Sequence, residues 1–270
     1  MSGHRRYTGR DFTFVVCAYK ECEHLEQCVR SLLAQSVKAH ILISTSTPNS
    51  HIRGIAGKYG IPLRINPDGG QVKDYNFALN QADTALVMLM HQDDLIRRTF
   101  AESVLRHLNR ADDPILAFTN YLEMHHDKVD RKASTIILIK RLLLLPIRIP
   151  LIKRLPQIKR LIQLFGNPVT HPTVVCVRDR LPRPCFREEY KASMDWDLWE
   201  RLSREKGQFV YVPEVLLFHR MNEENQTAKL IRESSARYDE ELEIFGRFWP
   251  KPIARLIMRL YSKADRYYSS

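Results

Sequence analysis

The sequence predicts an α/β protein in which helices flank a mostly parallel central sheet. Three observations lead to this prediction: apolar runs of strand length, amphipathic segments of helix length between them, and connections of only a few residues. The chain has 270 residues, 44% of them hydrophobic and 27% charged, which are ordinary values for one large domain with an appendage. They exclude a wholly disordered chain, a collagen and a polytopic membrane protein.

Strands and helices alternate from the first strand onward. The run Phe12–Ala18 reads FTFVVCA and is apolar almost throughout, which is typical of a strand buried on both faces. Residues 21–34 follow as a helix, with Leu25, Cys28 and Leu32 at helical spacing. The further predicted strands are 41–44, 63–65, 85–90, 115–120, 173–177 and 209–212, and the further predicted helices are 51–59, 72–82, 99–108, 195–206, 232–245 and 253–267. Ligands bind outside the carboxyl ends of the strands in such sheets, so the residues that follow each strand are the candidates for a site.

The positive charge of the chain is concentrated in one segment. The formal net charge is +11, and the span 131–178 contains ten Lys and Arg and no Asp or Glu. The rest of the chain therefore has a net charge of about +1 (11 − 10). One basic segment on a nearly neutral body predicts a local surface for an anionic partner.

Within this span, residues 136–165 are also rich in Leu and Ile and read IILIKRLLLLPIRIPLIKRLPQIKRLIQLF. Three prolines divide the segment, so it is not one long helix. It is either a membrane-surface element, with apolar side chains in the interface and cations against anionic lipid, or a large insertion whose helices join the core and turn their cations to solvent. Nucleic-acid binding is disfavoured, because Phe165 is its one aromatic residue and cannot form a stacking platform.

The cysteines and the N-terminal residues predict a cytoplasmic protein. The five cysteines are an odd number without C-x-x-C spacing, which disfavours a disulfide framework and a zinc ribbon. The opening MSGHRRYTGRDF lacks the apolar region of a signal peptide, and no stretch of eighteen uncharged apolar residues could span a bilayer.

Two adjacent acids, Asp93 and Asp94, follow a strongly apolar predicted strand. Carboxylates at this position are costly unless a positive charge meets them, and a divalent cation would supply it. The alternative is a helix N-cap, in which Asp94 accepts backbone N–H groups.

Two further motifs lie in the last third of the chain. Asp195 and Asp197 stand two residues apart at a predicted helix start, so they cannot both cap the helix, and one is available as a general base. His219 and Arg220 follow a predicted strand. A histidine there can bind metal and an arginine can bind phosphate, although His219 could equally be a structural residue.

Four segments carry these motifs in order: FTFVVCAYKECEHLEQCVRSLLAQS, NPDGGQVKDYNFALNQAD, LVMLMHQDD and MDWDLWERLSREKGQFVYVPEVLLFHRMNEENQT. In this order they resemble a family 2 glycosyltransferase, over about residues 12–227 and interrupted by the basic segment. The resemblance implies a GT-A fold, Rossmann-like, with a mostly parallel central sheet flanked by helices, a basic apolar helical insertion and C-terminal helices. The implied domain spans 1–225 with its insertion at about 131–166, and a helical tail spans 226–270.

The resemblance also implies an activity: inverting transfer of a sugar from a nucleotide diphosphate sugar to a hydroxyl of a glycan or lipid-linked acceptor, in cell-surface polysaccharide synthesis. It makes Asp195 the catalytic base and places Mn²⁺ or Mg²⁺ at Asp93, with His91 and His219 as further ligands. The residues expected to bind the nucleotide sugar are Ala18, Tyr19, Ser44, Thr45, Gly70, Asn76, Gln92, Asp93 and Arg220. Those expected on the acceptor side are Asp94, His171 and Trp196. The expected location is the inner face of the cell membrane, as a peripheral cytoplasmic protein on anionic lipid, with no nucleic-acid partner.

The sequence departs from the family pattern at three places. The stretch ILISTSTPN has hydroxyls where the family usually has an Asp that hydrogen-bonds the nucleotide base, His91 replaces the first acid of the D-x-D motif, and Tyr75 replaces the usual Arg. Imidazole is a poorer ligand than carboxylate for Mg²⁺ but is acceptable for Mn²⁺. These departures leave an alternative function open: a non-catalytic sugar-nucleotide or membrane-binding module on the same fold. The presence of Asp195 favours the enzyme, since a binding module needs no base.

Overall fold

The structure is a computed structural model that describes residues 6–149, 152, 155, 157–221 and 236–268. Its strands form one mixed sheet. They are β1 (Phe12–Ala18), β2 (His40–Thr45), β3 (Leu63–Ile65), β4 (Leu86–His91), β5 (Leu95–Ile96), β6 (Pro114–His125), β7 (Lys128–Val129), β8 (Val174–Val177) and β9 (Gln208–Arg220). The helices are α1 (Leu25–Leu33), α2 (Ser50–Tyr59), α3 (Gln71–Asn80), α4 (Phe100–Leu108), α5 (Thr135–Leu143), α6 (Leu145–Arg148), α7 (Ile158–Leu161), α8 (Met194–Ser203), α9 (Ala236–Gly246) and α10 (Lys251–Tyr268).

The order of the strands is β3-β2-β1-β4-β8-β6-β9-β5, with β7 paired to β6. The first four strands are parallel, and β6 and β9 are parallel to each other. The short strand β8 runs antiparallel to both of its neighbours and joins these two parallel groups. This arrangement confirms the predicted α/β fold with a mostly parallel central sheet.

Both faces of the sheet are buried. On β1, Phe12, Phe14 and Val16 point into one apolar core, while Val15 points into the other. The continuous apolar run of this strand is therefore required by helices packed on both sides.

Local sequence sets the helix ends where the chain must turn. Helix α2 begins after Asn49, whose side chain accepts a hydrogen bond from the Ile52 N–H at 2.9 Å, and it ends at Gly60, which has a left-handed φ of 61°. An amide cap and a glycine at these positions stabilise a short helix against fraying.

The strand β9 is longer than predicted. The strand predicted at 209–212 stops before Pro213, a residue that cannot donate to a ladder. In the structure the strand continues to Arg220, and a register shift opposite Asn120 accommodates the proline. The side chain of Asn120 donates to the Pro213 carbonyl at 2.7 Å, which compensates for the interrupted ladder.

The C-terminal helices lie on the second apolar core. Ile244 and Phe245 of α9, and Ala254 and Met258 of α10, are buried there. Within the described residues, no helix combines the length and the apolar character that crossing a bilayer requires.

Candidate active site

The carboxyl ends of β1, β2 and β4 lie side by side and form the floor of the candidate site. Ala18 pairs with Thr45, and Cys17 pairs with both Ser44 and His91. The expected nucleotide-binding residues Ala18, Ser44 and Thr45 are buried in this floor.

Tyr19 stands above the floor and is 38% exposed. The side chain of Gln92 accepts from the Tyr19 N–H at 2.9 Å and donates to the Tyr19 carbonyl at 3.0 Å. The loop after β1 is thereby fixed to the loop after β4, as both were expected to contribute to one site.

Next to this floor lies the start of α3, which follows Gly70 at a φ of 121°. Asp74 accepts from the Ser46 hydroxyl and from the Asn66 amide, both at 2.7 Å. These contacts bring a carboxylate to the end of β2, where the sequence itself has only hydroxyl residues. Sequence reasoning missed Asp74, because it lies on a helix and no strand end precedes it.

His91, Asp94 and His219 form a cluster whose candidate ligand atoms all lie within 4.8 Å of one another. Asp94 Oδ1 accepts from the Arg220 N–H and contacts His219 Nδ1, both at 2.9 Å. Asp94 Oδ2 is buried without a hydrogen-bond partner and lies 3.6 Å from His91 Nδ1. A buried carboxylate oxygen left over between two imidazoles fits a divalent cation, and the nitrogen ligands suit Mn²⁺ better than Mg²⁺.

The two adjacent acids have different environments. Burial, followed by the negative charge of Asp94, raises the pKa of Asp93, although both histidines oppose this. Burial also raises the pKa of Asp94, but His219, His91 and the Arg220 N–H outweigh it, so the net pKa lies below the ordinary value. A bound cation would relieve the repulsion between the two carboxylates.

A ring stack lies beside the cluster. The Nε2 atom of His91 lies 3.3 Å from the Tyr75 hydroxyl and 3.3 Å from His171 Nδ1. The rings of Tyr75 and His171 stack with centroids 5.1 Å apart. Burial and the neighbouring His91 lower the pKa of His171 to about 3, so this imidazole is neutral at physiological pH.

Asp195 lies in the first turn of α8. Its Oδ1 accepts from the Trp196 N–H at 2.7 Å, and its Oδ2 accepts from the Asn167 amide at 3.1 Å. Burial raises the pKa of Asp195, and the Trp196 N–H, Lys140 and Asn167 partly offset that rise. A desolvated carboxylate with a raised pKa is suited to accept a proton.

Asp197 lies on the opposite side of the same helix turn. It is fully buried, and its carboxylate pairs with Arg187, Arg201 and Arg247. The residue at the N-cap position is Ser193, so neither Asp195 nor Asp197 caps the helix. Asp195 bonds to Asn167 outside its own helix, while Asp197 belongs to a buried ion-pair network.

The family model of glycosyl transferase family 2 matches residues 13–173, which is more than half of the chain. The chain belongs to glycosyl transferase family 2. Its members transfer a sugar from a nucleotide-sugar donor. A search of curated proteins finds no match to this glycosyltransferase.

Solved structures show the same fold. This glycosyltransferase is similar to TarS of S. aureus, residues 1–349, in complex with UDP-GlcNAc, with a TM-score of 0.61 and 13% identity over 92% of this chain and 70% of that chain. A longer crystal structure of S. aureus TarS matches with a TM-score of 0.56 and 14% identity, over 92% of this chain and 42% of that chain. At this identity the likeness shows the GT-A fold.

Several residues of the glycosyltransferase lie elsewhere than the sequence suggested. Asp94 was expected on the acceptor side, but its side chain is 0% exposed and lies between the two histidines. Trp196 was also expected there, but it is buried and its ring packs on Phe245 at 4.9 Å. His171 lies against His91 in the ring stack. An acceptor could not reach Asp94 or Trp196 in this arrangement.

Two residues expected to contact the nucleotide sugar have structural partners instead. Both amide atoms of Asn76 bond to the Phe186 backbone at 2.8 Å. The buried guanidinium of Arg220 donates to the Asp93 carbonyl, to Asp127 and to Gln27, at 3.0, 2.6 and 2.9 Å. Arg220 thus fixes the backbone that carries the acid pair.

Asn167 and Lys140 contribute to the environment of Asp195, and sequence reasoning missed both. Lys140 donates to the Thr170 hydroxyl at 2.9 Å and lowers the pKa of Asp195 through its charge. It lies on α5, inside the basic segment, where the sequence suggested only surface charge.

Proposed function

We propose that this glycosyltransferase is an inverting enzyme that moves a sugar from a nucleotide diphosphate sugar to a hydroxyl of a glycan or lipid-linked acceptor, in cell-surface polysaccharide synthesis. The observation that carries the proposal is Asp195, a carboxylate with a raised pKa that is oriented by hydrogen bonds while its neighbour Asp197 is neutralised by arginines. The fold likeness to TarS bound to UDP-GlcNAc supports a nucleotide diphosphate sugar as the donor.

In the proposed reaction Asp195 accepts the proton of the acceptor hydroxyl as the hydroxyl oxygen attacks the anomeric carbon of the donor sugar. The new bond between carbon and acceptor oxygen forms as the bond from that carbon to the diphosphate oxygen breaks. The nucleotide diphosphate leaves on the opposite face, so the anomeric configuration inverts. Asn167 holds the carboxylate of Asp195 in place through one oxygen.

Asp93 and the cluster of His91, Asp94 and His219 would hold Mn²⁺ or Mg²⁺. When bound, such a cation neutralises the charge that develops on the leaving diphosphate. Arg220 supports this function indirectly, because it holds the Asp93 carbonyl.

We expect one nucleoside diphosphate among UDP, GDP, TDP and CDP to raise the melting temperature of the protein with Mn²⁺, and chelator to remove the effect. A ligand at 100 times its Kd stabilises by about 2.7 kcal/mol, which raises Tm by about 5–10 °C for a chain of this size. The Asp93→Asn variant should lose the metal-dependent part of the shift, and the exposed Asp83→Asn variant should keep it. If no nucleotide stabilises a well-folded protein under any metal condition, both the enzyme and a sugar-nucleotide module are contradicted, and the membrane-binding module is the alternative that remains.

The pH dependence of transfer provides a separate test of Asp195. Because burial raises its pKa, activity should fall on the acid side at a higher pH than an ordinary aspartate would give. Replacing Lys140 with methionine removes a nearby positive charge, so the pKa rises further and the acid limb of kcat moves to higher pH. The exposed Lys132→Met variant is the control in the same segment. An acid limb that stays in place in Lys140→Met would contradict the assignment.

A further inference from the structure

The insertion presents a row of apolar side chains to solvent. Leu138 and Leu142 on α5, Leu145 on α6 and Ile149 after it are between 47% and 62% exposed. The opposite sides of these helices, with Ile137, Leu144 and Ile147, are buried in the two cores. The exposed row is therefore a second apolar face that the fold of this chain leaves uncovered.

Helix α10 presents a similar face. Leu256 and Leu260 are 58% and 62% exposed and stand one helical turn apart. Beside them, Lys251, Arg255 and Arg259 are exposed at the same four-residue spacing. Helix α10 also contacts the end of the insertion, because its Tyr261 ring lies close to Gly166, next to the half-exposed Phe165.

The charge around the exposed leucines is positive. Arg131, Lys132 and Arg148 are exposed, and the sequence from 131 to 178 contains no acid. Not every cation of the segment contributes: Lys159 is buried and donates to the Glu205 carbonyl, and Arg160 pairs with Glu200. Helix α7 is thus directed to the core, whereas α5 and α6 expose aliphatic side chains among cations.

We propose that the exposed side chains Leu138, Leu142, Leu145, Ile149, Leu256 and Leu260, termed the docking surface, bind an anionic lipid bilayer. Amphipathic helices rich in Leu and Ile and flanked by Lys and Arg insert at the level of the headgroups, where the cations meet anionic lipid. A second copy of this chain is a poorer occupant, because a two-fold contact would bring like charges together. Nucleic acid is poorer still, because the surface is aliphatic.

The position of the docking surface indicates where the enzyme meets its acceptor. Helix α5 carries Lys140, which bonds to Thr170 and acts electrostatically on Asp195. A bilayer on the docking surface therefore lies one helix away from the base. Resting on the proposed function, this placement selects an acceptor whose hydroxyl is presented at the membrane on a lipid carrier.

The test is flotation of the full chain, without nucleotide, with vesicles of phosphatidylcholine alone and of phosphatidylcholine mixed with phosphatidylglycerol. Binding should require the anionic lipid and weaken with salt. The Leu138→Ser/Leu142→Ser variant should lower the partition coefficient by about ten-fold or more. The Ile65→Ser variant, which removes a 42% exposed apolar side chain on β3, should bind as the wild type does.

Two arginine variants test the electrostatic part of the proposal. Arg148→Gln should weaken binding about five-fold, while Arg53→Gln, an exposed arginine on α2, should not change it. Because Leu138 and Leu142 are exposed, an unchanged Tm shows that their replacement leaves the fold intact. Absence of binding to anionic vesicles would overturn the proposal, as would binding that the leucine variant retains. A dimer that the leucine variant dissociates, without vesicle binding, would assign the docking surface to a second copy. None of these readouts depends on donor or metal, so failure here is distinct from failure of the transferase activity.

Discussion

We expect the Asp195→Asn variant to bind nucleotide as the wild type does and to lose sugar transfer by about 10²–10⁴-fold, the range that a positioned general base contributes. Asparagine has nearly the same shape and its carbonyl can still accept from the Trp196 N–H, which bonds Asp195 at 2.7 Å. The amide oxygen of Asn167 already accepts from the Val169 N–H at 3.1 Å, so the bond from the Asn167 NH₂ group to residue 195 is lost in the variant. The variant therefore removes proton acceptance and one hydrogen bond, with almost no change in side-chain volume.

The measurement is transfer to an acceptor at saturating donor, with nucleotide affinity determined separately by calorimetry. The exposed Asp83→Asn variant is the matched control and should retain wild-type turnover. Equal loss of nucleotide affinity and turnover in Asp195→Asn would indicate a binding role for Asp195. Wild-type turnover would exclude Asp195 as the base.

The fold could be predicted from the sequence because its signals are local and repeated. The run FTFVVCA is apolar on both faces, and the β1 residues indeed point into two cores. Strand β9 was underestimated, since the effect of Pro213 is local but its compensation by Asn120 comes from another strand. The length of a strand that contains a bulge therefore cannot be predicted from the pattern of that strand alone.

The site was predictable only where strand ends define it. Tyr19, Gln92 and Asp93 follow strands, and the sheet brings their loops together. Side chains such as Asn76 were misplaced, because Phe186, its partner, is 110 residues away in the sequence. Residue type and spacing identify polar groups near a cleft, but they do not show whether a distant backbone already uses those groups.

Two of the departures from the family pattern prove to be neighbours in space. Tyr75 and His91 are 16 residues apart, yet the Tyr75 hydroxyl lies 3.3 Å from His91 Nε2. The other ring nitrogen of His91, Nδ1, lies 3.6 Å from Asp94 Oδ2, so the imidazole has a defined neighbour on each side. His91 is thus part of an ordered site, which supports the metal-binding hypothesis over a degenerate module.

We expect replacement of Asp197 to lower the stability of the fold, whereas replacement of Asp195 lowers turnover. The two acids are two residues apart, so they point about 200° apart around the helix. Asp197 is fully buried and pairs with Arg201 at 3.0 Å and Arg247 at 2.7 Å, besides Arg187. These arginines keep 15–35% of their side-chain surface exposed, and Arg247 retains Glu200 and Glu243 as partners. Removing the carboxylate that all three arginines share therefore costs about 3 kcal/mol, the low end for a broken buried ion pair.

We therefore expect Asp197→Asn to lower Tm by about 6–12 °C, measured by calorimetry at neutral pH. Arg187→Gln should lower Tm by less, because Arg201 and Arg247 still pair with Asp197.

Burial raises the pKa of Asp197, but the arginines outweigh it and hold the net pKa below the ordinary value. A carboxylate with a depressed pKa stabilises the fold above its unfolded-state pKa and loses that contribution as pH falls through the folded-state value. The difference in Tm between wild type and Asp197→Asn should consequently narrow as the pH falls below about 4. A difference in Tm that stays constant below about pH 4 would mean that the lost stability arises from packing. The ion pairs of Asp197 would then not be what stabilises the position of α8.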